Sequence, residues 1–171
     1  MTDLGLMTYF LGMEIKPSKS EVFICQKKYA KEILKKFQME ECKSMSKPMN
    51  QKEKLCKEDG ADKVDEGYYR SLIGCLMYLT ATRPDIYLLA AKRILRYIKG
   101  TIDYGVKFEK CPSVKLLGFS DSDWAGSADD MRSTSGHCFN LGSGIFSWSS
   151  KKQEIVAQST AEAEFIAATE Q

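Results

Sequence analysis

The sequence predicts an α+β protein in two parts, a mainly helical part over residues 1–100 and an antiparallel sheet with one helix over residues 101–171. Two observations support this fold class. Before Gly100, apolar side chains recur at helical spacing in three segments. After Gly100, the hydrophobic pattern changes to period two, which is typical of strands with one buried face.

The first 40 residues predict two strands and a helix. MTYFLGMEI and EVFIC are strand-like segments on either side of a polar KPSKS turn, where Pro17 and Ser18 supply the break. In QKKYAKEILKKFQM the apolar side chains recur every three or four residues, and lysines occupy most other positions. One face of this helix is therefore expected in the core, and the other is strongly basic.

The middle of the chain predicts a connector and two further helices. Periodicity disappears between residues 40 and 66, where residues of both charges and turn formers are common. GYYRSLIGCLMYLTAT then carries an apolar stripe that ends at Arg83-Pro84. DIYLLAAKRILRYIKG begins at Asp85, a candidate N-cap, and stops at Gly100. Both segments are predicted to be helices with one apolar face.

The period-two segments after Gly100 predict an antiparallel meander. They are YGVKFEK, SVKLLGFSD, GHCFNLG and GIFSWSS. A final helix is predicted from Ser159, because Ser159 and Glu162 match a capping box ahead of EFIAATEQ. Trp124 and Trp148 are expected in the core, since Trp124 lies beside small residues and Trp148 lies inside a predicted strand.

Composition indicates a globular, intracellular protein. The 171 residues are 43% hydrophobic and 28% charged, which excludes a disordered chain, and the net charge of +2 identifies no partner by itself. Six cysteines form no CxxC pair, which argues against both a zinc module and a disulfide-stapled secreted domain. The N-terminal segment lacks a basic signal-peptide region and a membrane-spanning length, so no membrane attachment is expected.

The acidic stretch GFSDSDWAGSADD is the candidate for chemistry. Asp121 and Asp123 lie two residues apart at the end of an apolar run, so on a strand both would project from one face. Two carboxylates on one face repel each other unless a cation or water separates them. From the residues alone, this stretch is either a metal site or a solvated loop.

Several stretches, in this order, resemble the pol polyprotein of copia-type long-terminal-repeat retrotransposons. They are DLGLMTYFLGMEI, YRSLIGCLMYLTATRPDI, AAKRILRYIKGTIDYGVKF, GFSDSDWAG, RSTSGHCFNLGSGIFSWSSKKQ and STAEAEFIAA. The resemblance implies that residues 1–100 are a remnant of the reverse transcriptase thumb and connection, with residues 10–12 in the hairpin that grips the primer. It implies that residues 101–171 are the opening half of a ribonuclease H domain, a three-stranded antiparallel meander with one helix. The family carries a further stretch after the position of Ile86, so this chain is expected to have an internal deletion there.

The resemblance also implies a metal site. Asp121 matches the first metal-binding aspartate of ribonuclease H, and Glu164 matches the glutamate on its first helix. The family uses two Mg²⁺ or Mn²⁺ ions, held by oxygen ligands, to cleave the RNA of an RNA–DNA hybrid. Its remaining acidic ligands come later than Gln171. The fragment is therefore expected to be catalytically incomplete and to bind metal weakly or not at all.

Three readings of function follow. The chain is a fragment of a Pol polyprotein whose parent performs RNA-directed DNA synthesis and hybrid cleavage, or a ribonuclease H completed by another chain, or a non-enzymatic nucleic-acid-binding or interaction protein. The resemblance implies an RNA–DNA hybrid or another nucleic acid as the partner. The residues that would contact its phosphates could equally form a solvated basic face. These candidate contacts are Lys31, Lys35, Lys92, Arg96 and Lys99. Self-association is also expected, through the exposed edge of the first meander strand.

Overall fold

The computed structural model describes residues 5–48, 65–86 and 91–169, and for residues 91 and 92 it describes the backbone alone. Most of the predicted connector therefore lies outside the described residues. The described chain divides into two compact units: the first unit is residues 5–48, 65–86 and 91–110, and the second unit is residues 111–169. Each has its own antiparallel sheet and at least one helix, so the predicted α+β class is confirmed.

The sheet of the first unit has four antiparallel strands in chain order. These are β1 (Tyr9–Phe10), β2 (Met13–Pro17), β3 (Glu21–Cys25) and β4 (Gly105–Glu109). Leu11 and Gly12 join β1 to β2 with positive φ angles of 44° and 75°, as a two-residue type I′ hairpin requires. The hydroxyl of Tyr78 donates a hydrogen bond to the carbonyl of Leu11. A hairpin is therefore present at residues 10–12, while its role in gripping a primer stays a prediction.

The strand β4 belongs to the first unit, so the prediction that YGVKFEK joins the meander of the later strands is wrong. β4 pairs with β3, with Val106 opposite Ile24, and the division between units follows Lys110. Period-two alternation identifies a strand but not its partner, because partner choice depends on contacts remote in sequence. Gly105 permits this pairing, since a Cβ there would lie 2.2 Å from the carbonyl oxygen of Ile24.

Three α-helices and a short 3-10 turn complete the described part of the first unit. They are α1 (Lys27–Lys36), α2 (Glu66–Leu79), the 3-10 turn Thr80–Thr82 and α3 (Ala91–Gly100). The side chain of Asp65 caps α2 by accepting from the backbone N–H of Tyr68 at 2.7 Å. One hydrophobic core joins the helices. Its most buried members are Ala30, Ile33, Leu72, Leu76, Leu79, Ile94, Leu95 and Ile98.

A buried polar cluster links the segment before residue 87 to the end of α3. Arg83 is only 2% exposed and donates to both carboxylate oxygens of Asp85, at 2.8 and 2.7 Å. It also donates to the carbonyl and hydroxyl oxygens of Thr101, at 3.0 and 2.7 Å. The hydroxyl of Tyr97 donates to Asp85 at 2.7 Å. Asp85, predicted as a helix cap, therefore uses its carboxylate to neutralise a buried arginine.

The second unit is a three-stranded antiparallel sheet with one helix. Its elements are β5 (Leu116–Ser122), β6 (Thr134–Leu141), β7 (Gly144–Lys152) and α4 (Thr160–Thr169), and the strand order is β5-β6-β7. The helix packs against β5 and β6. The hydroxyl of Ser159 accepts from the N–H of Glu162 at 3.2 Å, and Glu162 accepts from the N–H of Gln158 at 2.7 Å, so the predicted cap of α4 is present.

Among the described residues, no helix of either unit has the length and apolar character needed to cross a lipid bilayer.

Candidate functional site

Asp121 lies near the end of β5, opposite Gly136 of β6, and its side chain is exposed. By strand alternation it shares a face with Leu117 and Phe119. Asp123 follows the strand, and its carboxylate accepts a hydrogen bond from the N–H of Thr134. Asp123 therefore closes the end of the β5–β6 ladder, so of Asp121 and Asp123 the better candidate ligand is Asp121.

Glu164 lies on α4, the helix that packs against the strand carrying Asp121. Its neighbours Ala163 and Ala167 are fully buried, one helical turn apart, and their small side chains permit the helix to lie close to the sheet. The side chain of Glu164 is exposed. Neither Glu164 nor Asp121 accepts a hydrogen bond from another side chain in the described ranges, so both carboxylates are open to a ligand.

Gln153 connects the strand and the helix that carry these two carboxylates. Its side chain is 1% exposed, and Nε2 donates to the carbonyl of Ala163 and the hydroxyl of Ser135, both at 2.9 Å, and to the hydroxyl of Ser122 at 3.3 Å. A carbonyl oxygen can only accept, so it fixes which end of the amide faces α4. Because Ser122 follows Asp121 and Ala163 precedes Glu164, this amide ties together the two elements of the candidate site. Gln153 could not be predicted as a functional residue, since nothing in the SSKKQ pattern distinguishes a buried amide from a solvated one.

The other acids of the loop after β5 include one that is already paired. Asp130 forms an ion pair with Lys152 at 2.7 Å, and the hydrogen bond from Lys152 holds the pKa of Asp130 well below its ordinary value. Within the described residues, no three acidic, histidine or cysteine side chains come together in a group that could hold a metal ion. Asp121 and Glu164 have the oxygen chemistry that magnesium prefers, but two carboxylates fall short of the ligand set of a two-ion centre.

The predicted basic residues lie on α1 and α3, which pack against each other in the first unit. Lys31 and Lys35 are exposed on the side of α1 opposite the buried Ile33 and Leu34. On α3, Arg96 is exposed and Lys99 half-buried. The fifth candidate contact, Lys92, has a side chain outside the described residues.

The basic face of α1 is partly neutralised at its N-terminal end. Lys27 forms an ion pair with Asp103, and this bond, with weaker help from Lys16 and Lys31, lowers the pKa of Asp103. Lys31 and Lys35 follow Lys27 at one-turn intervals, about 6 Å apart along the helix axis. These two lysines make no ion pair with another side chain in the described ranges, so they keep their charge available to a partner.

Trp124 was expected in the core, and the structure shows this prediction to be wrong. Its side chain is 51% exposed, and its indole N–H donates to the carbonyl of Ala157 at 3.1 Å. The residue lies in the irregular segment after β5, where the chain has no strand partner to fix which side the ring faces. Trp148, on β7, is half-buried and cross-strand from Cys138.

Comparison with known proteins identifies the family. No family model matches the chain, and no solved structure matches it significantly. The chain is 41% identical to the uncharacterized mitochondrial protein AtMg00810 of Arabidopsis thaliana, over 98% of the chain and 76% of that protein. It is 38% identical to the retrovirus-related Pol polyprotein from transposon RE1 of Arabidopsis thaliana, over 92% of the chain, and 36% identical to that from transposon TNT 1-94 of Nicotiana tabacum, over 99%.

The lengths of these matches show how much of each relative the chain represents. It spans 12% of the RE1 polyprotein and 15% of the TNT 1-94 polyprotein. The alignments with AtMg00810 and TNT 1-94 run over 184 and 196 residues, more than the 171 of this chain, so both relatives carry residues that it lacks. The position of the missing residues, after Ile86, stays a prediction. The chain belongs to the Pol polyproteins of copia-type retrotransposons, of which it matches one segment.

Proposed function

We propose that this chain is a nucleic-acid-binding segment of a retrotransposon Pol polyprotein, with two carboxylates of a ribonuclease H site but not the whole set. The observation that carries the proposal is in the second unit, where the helix bearing Glu164 packs against the strand bearing Asp121 and Gln153 ties the two together. The parent polyprotein would copy RNA into DNA and degrade the RNA of the resulting hybrid. This segment would contribute binding to that process.

The carboxylates define what the segment can do chemically. In a complete site, a pair of divalent cations activates a water molecule and stabilises the leaving oxygen of the phosphodiester. Asp121 and Glu164 would hold part of such a site, since both are exposed carboxylates without a competing side-chain donor among the described residues. Asp123 and Asp130 are bound to Thr134 and Lys152 and would not complete it. The chain by itself would therefore bind a hybrid without cleaving it.

The basic helices support the binding part of the proposal. Lys31, Lys35 and Arg96 are exposed cations on two helices that pack against each other. Cations that neutralise phosphates release counterions, so the affinity they contribute falls steeply as salt rises. A merely solvated basic face would contribute neither affinity nor salt dependence, and this difference makes the proposal testable.

We predict that replacing the five candidate contacts by glutamine weakens binding of an RNA–DNA hybrid and flattens its salt dependence. Each phosphate that is no longer neutralised lowers the slope of log affinity against log salt by about 0.7 to 0.9, so the five substitutions together change it by up to about 4. Fluorescence anisotropy with a labelled hybrid measures both quantities. A matched control removes the same number of positive charges elsewhere, by glutamine at Lys16, Lys19, Lys43, Lys47 and Lys110. Equal effects of the two variants would indicate that the candidate residues form a solvated face and make no specific phosphate contacts.

A further inference from the structure

We propose that two copies of this chain associate through the outer edge of β5, in an antiparallel pairing centred on Gly118. β5 is an end strand of its sheet, so in the described part of the second unit its outer side has no strand partner. Such an edge presents a row of backbone donors and acceptors that a second strand can satisfy. The occupant we infer is β5 of another copy, because the edge is complementary to itself.

The two edges of this sheet differ in how they are protected. β7 carries an extra residue, Phe146, where its register with β6 shifts between Phe139 and Asn140, and it ends in two lysines. Bulges and lysines are devices that protect edge strands from pairing with other chains. β5 has neither: Leu116, Leu117 and Phe119 are 63%, 48% and 52% exposed, and its first charged residue is Asp121. β5 is therefore the edge open to association.

The hydrogen bonds within the sheet fix which backbone groups of β5 point outward. The carbonyl of Lys115 accepts from the N–H of Gly142 at 2.9 Å, and the N–H of Asp123 donates to the carbonyl of Thr134 at 3.3 Å. Backbone direction alternates along a strand, so odd-numbered residues bond to β6 and the groups of Leu116, Gly118 and Ser120 point outward. A two-fold axis at Gly118 pairs Gly118 with itself and Leu116 with Ser120. This pairing makes about six hydrogen bonds between the two copies.

The same register matches the side chains on the face that carries Asp121. It sets Leu117 of one copy opposite Phe119 of the other, and Lys115 opposite Asp121. These are the non-hydrogen-bonded positions, where side chains across two strands come closest. An axis at Phe119 would instead set Leu117 against Asp121, and Lys115 against Asp123, whose carboxylate is already bound to Thr134. Apolar and charge complementarity therefore both favour the axis at Gly118.

Sedimentation equilibrium of the 171-residue chain tests this dimer. The mass should rise with concentration from 19.3 kDa towards twice that value. Lys115→Asp sets two acids opposite each other and should weaken association about tenfold or more, a loss of at least about 1.4 kcal/mol. Adding Asp121→Lys should restore the wild-type dissociation constant. Adding Glu154→Lys instead, which makes the same change of charge at an exposed position after β7, should not.

Three results would overturn the proposal. They are a wild-type chain that stays monomeric at every concentration, association that Lys115→Asp leaves unchanged, and restoration by Glu154→Lys in place of Asp121→Lys. A measurement on the unaltered chain tests the dimer without relying on variants that could misfold. Hydrogen exchange should show the amides of Leu116, Gly118 and Ser120 protected in a concentrated sample and exposed after dilution. Fast exchange of these three amides at both concentrations would also contradict the dimer.

Discussion

Replacing Arg83 by methionine should lower the free energy of unfolding by about 3 kcal/mol, because it removes the donor of four hydrogen bonds and leaves the buried oxygens of Thr101 without it. Arg83 makes four hydrogen bonds to Asp85 and Thr101, and its guanidinium lies 5.5 Å from the ring centre of Tyr97 and 5.4 Å from that of Tyr104. Methionine fills similar space but provides none of these bonds. Denaturant unfolding followed by far-UV circular dichroism measures the loss.

A matched control is available on α2. Arg70 pairs with Glu66 one turn away, but both side chains are about three-quarters exposed, at 75% and 77%. Exposed pairs contribute well under about 1 kcal/mol, so Arg70→Met should leave stability nearly unchanged. If the two substitutions cost the same, the cluster around Arg83 would have no special role in the first unit.

The pH dependence of the Arg83 effect follows from Asp85. Burial by itself would raise the pKa of Asp85, but the hydrogen bonds from Arg83 and Tyr97 outweigh it, so this pKa lies below its ordinary value of 3.8. A carboxyl group whose pKa is lowered on folding contributes its full stabilisation above the unfolded value and loses it as pH falls through the folded value. The difference between wild type and Arg83→Met should therefore be constant near neutral pH and shrink below about pH 4. A difference that grows in acid would contradict this account.

Replacing Gln153 by methionine should cost about 2 kcal/mol and loosen α4 from the sheet of the second unit. The substitution removes the side-chain donor that bonds to the Ala163 carbonyl, and it removes a bond to each of Ser122 and Ser135. Buried polar groups left without partners carry a penalty of about 1 to 3 kcal/mol. Tryptophan fluorescence follows unfolding of this unit, since both tryptophans, Trp124 and Trp148, lie within it.

The control for Gln153 is an exposed glutamine in the segment before α4. Gln158→Met makes the same chemical change at a solvent-exposed side chain, and such surface changes usually lie within about 0.5 kcal/mol of wild type. Hydrogen exchange of the α4 amides adds a local measurement, which should accelerate in Gln153→Met alone. Unaltered exchange in α4 would show that Gln153 does not hold the helix to the sheet.

Local sequence patterns predicted the elements whose burial is decided within one segment. The stripe of α1 is an example, because Ile33 and Leu34 are buried while Lys31 and Lys35 are exposed, as the three-to-four residue spacing requires. The capping pair of Ser159 and Glu162 is another, since its bonds close within four residues. In such cases the side chains that decide the structure are neighbours in sequence.

Features that depend on distant partners could not be predicted in this way. The pairing of β4 with β3 joins residues more than 80 positions apart, for example Val106 with Ile24. The buried amide of Gln153 and the exposed ring of Trp124 are likewise set by tertiary contacts. Asp85 had the sequence context of a helix cap, yet its carboxylate bonds to Arg83 because a buried guanidinium requires a counter-charge. The positions of Asp121 and Glu164 came from the resemblance to the family, since periodicity alone did not separate a metal site from a solvated loop.

We propose that this chain binds an RNA–DNA hybrid but carries too few carboxylates to cleave it. The most direct test incubates the 171-residue chain with an end-labelled hybrid in magnesium, and separately in manganese, at protein concentrations where anisotropy shows binding. We predict that the RNA strand stays intact in both metals, because Asp121 and Glu164 hold at most part of a two-ion site. Metal-dependent cleavage that disappears in Asp121→Asn, and persists in the control Glu154→Gln, would contradict the claim.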